Sequence, residues 1–252
     1  MKIVRYRLDD KIGYGKLCGQ TQKVYPVDGD IFGDYTISGE GVDVHQVQLL
    51  APVVPSKAVC VGLNYKDHIA EFGMATPESP VLFIKPTTAV IGPGEEIVRP
   101  ALSQRVDYEA ELAVVIGKTA KDVTPEQAWK YIFGYTCAND VTAQDLQIPT
   151  GQWTIAKGFD TFLPVGPHIE TELDPSALRV RAILNDTVKQ DTNTKYLLFD
   201  VPYLISYISR IMTLLPGDLI LTGTSSGIAP MVRGDQITVE IEGIGSLTNP
   251  VR

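Results

Sequence analysis

The chain is short of the residues that would place it in several large classes of protein. It has three cysteines, Cys18, Cys60 and Cys137, an odd number with no C-x-x-C pair among them. That excludes a disulfide framework and a thiolate zinc site, and it suits reduced thiols in the cytoplasm. Positive charge is in deficit, with 22 Lys and Arg against 30 Asp and Glu. No basic stripe is present to follow a phosphate backbone, so no nucleic-acid partner is expected. No apolar run approaches the ~20 residues of a membrane-spanning helix, so no membrane partner is expected either. Met1 to Arg7 has no apolar core of signal-peptide length, and the expected location is the cytoplasm. Phosphate-binding and dinucleotide fingerprints are absent. Histidine is scarce as well: only His45, His68 and His168 could supply an imidazole.

What is present is a chain of 252 residues, 44% hydrophobic, long enough to bury a core without disulfides. Residues 1–55 read as a small β domain, with short strands at Lys2 to Leu8, Tyr14 to Leu17 and Lys23 to Val27 and Gly and Asp at the turns. Pro52 and Pro55 mark its end, and residues 56–252 form a second, larger domain. Strands are expected at Ala58 to Gly62, Val81 to Ile84, Tyr108 to Ile116, Asp218 to Thr222, Gln236 to Glu242 and Ser246 to Val251. A short helix is expected from Tyr65 to Phe72. Thr124-Pro125-Glu126-Gln127 reads as a capping box opening a helix that ends near Gly134. Asp200-Val201-Pro202 opens another, with Leu204, Ile205, Ile208, Ile211, Met212 and Leu215 on its apolar face before Pro216-Gly217. Many strands and few helices predict an α+β, mostly β, fold.

The strongest chemical signal is Glu109-x-Glu111, followed by Asn139-Asp140. Side chains two apart on a strand share a face. A solvated strand face is the plain explanation of such a pair. Here, however, the strand is otherwise apolar, and two buried carboxylates repel each other. A hard divalent cation relieves that repulsion and prefers oxygen ligands, with Asp140 as the third. His68 and Glu71, three apart on a helix, form a second candidate pair, because a carboxylate that orients an imidazole suits it to act as a general base. Lys85 and Lys157 each end an apolar stretch. Either they snorkel to water or they place a cation in the site, balancing carboxylates and holding a substrate oxygen. Gly223-Thr224-Ser225-Ser226-Gly227 has the spacing of a serine nucleophile elbow, but no histidine follows His168 and Ala229-Pro230 prevents a helix there. A loop that offers backbone N–H groups and the Thr224 hydroxyl to a carboxylate fits better.

Taken in order, several motifs closely resemble the fumarylacetoacetate hydrolase family. They are Val61-Gly62-Leu63-Asn64-Tyr65 through Glu71, Phe83-Ile84-Lys85-Pro86, Asp107 to Ala113, Gly134-Tyr135, Asn139 to Ala143, Lys157 to Thr161, Pro216-Gly217-Asp218 and Thr222-Gly223-Thr224. The resemblance implies a mixed β-roll with a small N-terminal β domain, a homodimer, and one Mg²⁺ or Mn²⁺ on Glu109, Glu111 and Asp140. It implies a metal-dependent hydrolase or decarboxylase that breaks a C–C bond in a 2-oxo acid through an enolate, by acylpyruvate hydrolysis or oxaloacetate decarboxylation. The alternative is an isomerase or decarboxylase of unsaturated 2-oxo dicarboxylates. In the short type of this family His68 and Glu71 would act from a mobile lid, and Gln147 and Lys157 match substrate-contacting positions. Lys85 and Thr224 are expected to bind substrate too. Two positions depart from the pattern. Gln144 stands where the family usually has arginine, and Ser225 stands where proline is common.

Overall fold

The strand Ala110–Ile116 runs through the middle of the molecule, and all seven of its residues are buried. The computed structural model describes residues 1–71, 73–148 and 152–252. On one face of this strand Ala110, Leu112, Val114 and Ile116 join a core with Leu204, Ile205 and Ile208. On the other face Ala113 and Val115 pack with Ile3, Leu163 and Leu219. A strand covered on both sides reads as a continuous apolar run. This is why its second face changes from acidic to apolar partway along: Glu109 and Glu111 lie where the second core stops.

The fold is mostly β, with mixed strand directions. One sheet has 13 strands. At its centre Leu163–Glu170, Ile132–Asn139, Ala110–Ile116 and Leu219–Leu221 pair antiparallel, and Leu219–Leu221 then pairs parallel with Ala58–Gly62. The N-terminal strands continue the same sheet, since Lys2 pairs with Glu170 and Ile3 with Ile169. A four-stranded sheet, 187–193, 179–184, 236–241 and 245–250, closes the first core with Val180, Ala182, Val239 and Leu247. A three-stranded ladder joins Val106–Asp107 to Thr142–Ala143 and to Pro230–Met231. The ladder and the 110–139 register together bring the segment after Asn139 beside Glu109.

The helix Val201–Ile211 opens as expected, with the Asp200 carboxylate accepting from Tyr203 N at 2.9 Å. It ends before Met212 and Leu215, because Leu214 is drawn into a bridge with Ala120. The expected helix after Thr124 is a 3₁₀ segment, Pro125–Tyr131, with no side-chain cap. Strand Ile132–Asn139 takes over from it directly. Gly134 is therefore not a helix stop. It lies inside the strand, where a Cβ would come 2.5 Å from Glu170 O. The helix near the motif 61–71 spans Lys66–Glu71, and Phe72, which had been expected to end it, lies outside the described residues. The three cysteines are free. Among the described residues no helix is long and apolar enough to cross a membrane.

Strand Leu163–Glu170 holds a pH-dependent element of stability. His168 is 4% exposed, and its Nε2 is buried without a hydrogen-bond partner. Burial, with Lys2 nearby, pulls its pKa down from 6.5 to about 4. The unfolded chain thus takes up a proton that the fold refuses. The stability His168 permits is complete above 6.5 and is lost as pH falls toward 4. Replacing it, His168→Gln, should remove on the order of 2–3 kcal/mol of the stability difference between pH 7.5 and pH 4.5. Urea unfolding of both proteins at the two pH values measures this, and an unchanged difference would refute it.

Candidate active site

Glu109, Glu111 and Asp140 meet in one place. Each offers a carboxylate oxygen, and these atoms lie within 4.8 Å of one another. All three residues are at most 6% exposed. Backbone geometry brings them together. Asn139 Oδ1 accepts from Glu109 N at 2.9 Å, and Asp140 N donates to Glu109 O at 2.9 Å. Glu111 follows two residues along the same side of the strand.

Each acid is held from outside through one oxygen. Thr142 Oγ1 donates to Glu109 Oε1 at 2.7 Å. Gly223 N donates to Glu111 Oε2 at 2.6 Å. Lys85 Nζ donates to Asp140 Oδ1 at 2.5 Å and to Val141 O at 2.8 Å. Gly223 can aim its N–H this way because it sits at φ +101°, a region that side chains rarely allow. The opposite oxygens of Glu109 and Asp140 accept from Lys157 Nζ, at 2.8 and 2.7 Å.

The electrostatics follow from this packing. Burial, then the charges of Asp140 and Glu109, push the Glu111 carboxyl well above its usual range. Burial works against the charge on Asp140 as well, but Lys157 and Lys85 outweigh it and hold this carboxyl low. Burial alone would discharge Lys157, yet the facing carboxylates of Asp140 and Glu109 hold its pKa above the ordinary lysine value. For Lys85 burial prevails over the pull of Asp140, and its pKa is lowered. Three buried carboxylates against two lysines leave negative charge uncompensated. Oxygen donors, fixed outer partners and an acid with a raised pKa form a set that fits a divalent cation.

His68, 8% exposed, lines the same cleft as the three acids. Its Nδ1 is 3.3 Å from Glu71 Oε2. The helix Lys66–Glu71 is tied to the 222–227 loop, since Ser226 Oγ donates to Asp67 Oδ2 at 3.0 Å and Gly227 N to Glu71 Oε1 at 3.1 Å. Asp67 Oδ1 in turn accepts from His68 N. One short loop therefore touches both the acid cluster, through Gly223, and the histidine pair, through Gly227.

Lys157, Gln147 and Thr224 also line the cleft, and Gln144 joins them. Two expected substrate contacts have partners within the fold. Lys85 is fully buried behind Asp140 and does not border the cleft, so it positions an acid and does not reach substrate. The Thr224 hydroxyl donates to Ala110 O and accepts from Gln190 Nε2, so it is not available to hold a substrate carboxylate. The loop N–H groups of Gly223 and Gly227 are likewise committed to Glu111 and Glu71. Sequence reasoning missed Asp67 and Ser226 as links, and Phe83, Trp153 and Ile228 as walls of the cleft. Apolar residues and a serine in a loop give no sign of such roles until the chain folds.

Comparison with known proteins agrees with this geometry. The family description "Fumarylacetoacetate (FAA) hydrolase C-terminal" matches residues 57–252, and "Rv2993c-like, N-terminal" matches residues 1–52. The chain is 41% identical to the oxaloacetate tautomerase Fahd2a, mitochondrial, of Rattus norvegicus, over 82% of this chain and 70% of that protein. The structure of a 2-hydroxyhepta-2,4-diene-1,7-dioate isomerase from Mycobacterium marinum superposes with a TM-score of 0.91 at 44% identity, covering 100% of this chain and 98% of that one. A fumarylpyruvate hydrolase from Pseudomonas aeruginosa, solved in complex with Mn²⁺ and pyruvate, superposes with a TM-score of 0.75 at 33% identity, covering 81% and 91%. A fold of mixed sheets and a buried acid triad beside a histidine pair now coincide with a match over most of the chain, and the chain belongs to the fumarylacetoacetate hydrolase family.

Proposed function

We propose that this chain is a Mg²⁺- or Mn²⁺-dependent enzyme that breaks a C–C bond in a small 2-oxo acid, by hydrolysis of an acylpyruvate or by loss of CO₂ from oxaloacetate. One observation carries the reading: three buried acids and His68, which is paired with Glu71 behind it, border a single cleft. The cleft measures about 100 Å³, which is room for an acid of a few carbons, since drug-sized ligands need ~300 Å³ or more.

Glu109, Glu111 and Asp140 would hold the cation, which when bound supplies Lewis-acid stabilisation of the negative charge that develops on the 2-oxo oxygen. Lys157 keeps Glu109 and Asp140 together and adds a positive charge beside an anionic substrate. Glu71 fixes His68 through Nδ1, so Nε2 is the atom that takes and returns a proton. In hydrolysis Nε2 accepts a proton from a water as that water attacks the carbonyl at C4. The C3–C4 bond then breaks, and C3 is protonated to give pyruvate. Phe83, Trp153 and Ile228 give the cleft apolar walls.

A second reading is keto–enol exchange of oxaloacetate, favoured by the likeness to the rat tautomerase. It uses the same proton carrier and needs no attacking water. Proton NMR of an acylpyruvate and of oxaloacetate, each incubated with the protein and Mg²⁺, separates the two. Bond cleavage gives pyruvate, whereas exchange alone only redistributes the keto and enol signals.

The site makes two further predictions. His68→Ala should lower kcat for cleavage by roughly 10²–10⁴-fold, the usual range for a lost general base, while Mn²⁺ affinity stays within about threefold. Equal rates in parent and variant would remove His68 from the mechanism. Glu111→Gln relieves repulsion among the buried acids. It should therefore stabilise the metal-free protein by on the order of 1 kcal/mol, a rise in Tm of about 2–4 °C. The same change should abolish the extra stability that saturating Mn²⁺ gives the parent, about 2.7 kcal/mol at a hundredfold excess over Kd. Calorimetry with and without the ion tests both parts, and stabilisation by Mn²⁺ equal to the parent's would remove Glu111 from the ligand set.

A further inference from the structure

The cleft has provision for one carboxylate and none for a second. Its single bordering lysine, Lys157, is already bonded to Glu109 and Asp140. Among the described residues no arginine borders it, and Phe72, Pro149, Thr150 and Gly151 carry no charge. Arg105 is engaged elsewhere, its guanidinium donating to both oxygens of the buried Asp107 at 2.7–3.1 Å. Three carboxylates set against two lysines and a divalent ion leave one positive charge, which a single substrate carboxylate neutralises. Glu71, paired with His68 of the lining, adds negative charge nearby. A second substrate carboxylate would be desolvated with only neutral amides and no free cation to pair it.

Besides the acids, Lys157, His68 and Thr224, the polar side chains of the cleft are uncharged amides. Gln144 borders the cleft, and its Oε1 is buried without a hydrogen-bond partner. Its backbone is fixed, because Gln144 N donates to Arg105 O at 2.9 Å. The neighbouring Asp145 is tied down by Ser103 Oγ and Gln104 N, facing away from the task. A buried amide oxygen without a partner is costly, favours a ligand that brings a hydrogen-bond donor and opposes the lone pairs of a second carboxylate. Gln147 is the other polar side chain nearby, and it too is neutral.

We propose that this chain selects 2-oxo acids with a single carboxylate and an uncharged distal group, and that Gln144 is the specificity-determining residue. The proposal rests on the reading of the cleft as a 2-oxo acid site and narrows it: simple acylpyruvates are substrates, and 2-oxo dicarboxylates are poor ones. Of the two cleavage reactions, it selects acylpyruvate hydrolysis over oxaloacetate decarboxylation.

Binding decides the matter without turnover. The probes are 2-oxoglutarate and 5-methyl-2-oxohexanoate, which carries an isopropyl group in place of the second carboxylate. Titration calorimetry on the Mg²⁺-loaded protein should show the neutral-tailed acid binding at least tenfold more tightly. Gln144→Arg should shift that ratio at least tenfold toward 2-oxoglutarate. Equal or tighter binding of 2-oxoglutarate by the parent overturns the proposal, and so does a ratio that Gln144→Arg leaves unmoved. In parallel, kcat/KM for acetylpyruvate should exceed that for fumarylpyruvate. The reverse order also overturns the proposal. If neither is cleaved but the binding preference holds, the selectivity stands and the C–C cleavage reading alone fails.

Discussion

The structure depends on the burial of three carboxylates within 4.8 Å of one another. Such a cluster is unfavourable by itself, because each ionised acid loses its water and repels the others. The fold meets this cost with fixed donors. Thr142, Gly223 and Lys85 each hold one acid from outside, and Lys157 bridges two of them from within. This compensation is partial: Lys157 is held charged by the acids, while Glu111 is pushed toward its neutral form. A site kept in that unbalanced state is suited to take up a cation and then an anion.

The scaffold explains why the cluster does not relax. The strand that carries Glu111 is packed between two cores, so neither face can move toward solvent. Asp140 is held by the ladder around Val106 and Thr142, and its own N–H is bonded to Glu109 O. The histidine pair is positioned differently, on a six-residue helix tied to the Gly223–Gly227 loop by two hydrogen bonds. The acids are thus locked into the sheet, whereas His68 is held by a surface latch. That division suits a reaction in which charge must be fixed while a proton moves.

Around the acids the cleft is lined by Lys157, His68, two neutral amides, Gln144 and Gln147, and a threonine whose hydroxyl is already bonded, among apolar side chains. The proposed selectivity rests on the neutral amides of Gln144 and Gln147, which pair a second carboxylate less well than a cation would.

Much of this was legible in the sequence, for identifiable reasons. The strand around Glu111, the helix opened by Asp200, and the grouping of Glu109, Glu111 and Asp140 rest on local periodicity and on charge in an apolar setting. Those signals do not need the rest of the chain. Other features came only from tertiary structure. Lys85 reads in sequence as a cation for substrate, but the pairing of strands Ala58–Gly62 and Val81–Lys85 places it behind Asp140. The Thr224 hydroxyl reads as a donor to ligand, but Ala110 O and Gln190 claim it from strands far away in the chain. Gly134 reads as a helix stop, but it is a close approach between strands. The sequence by itself determined which side chains could do chemistry, because residue type and local spacing carry that information. Only the folded chain decided which of them remain available to a ligand, because a side chain's partner is set by long-range pairing that local pattern does not record.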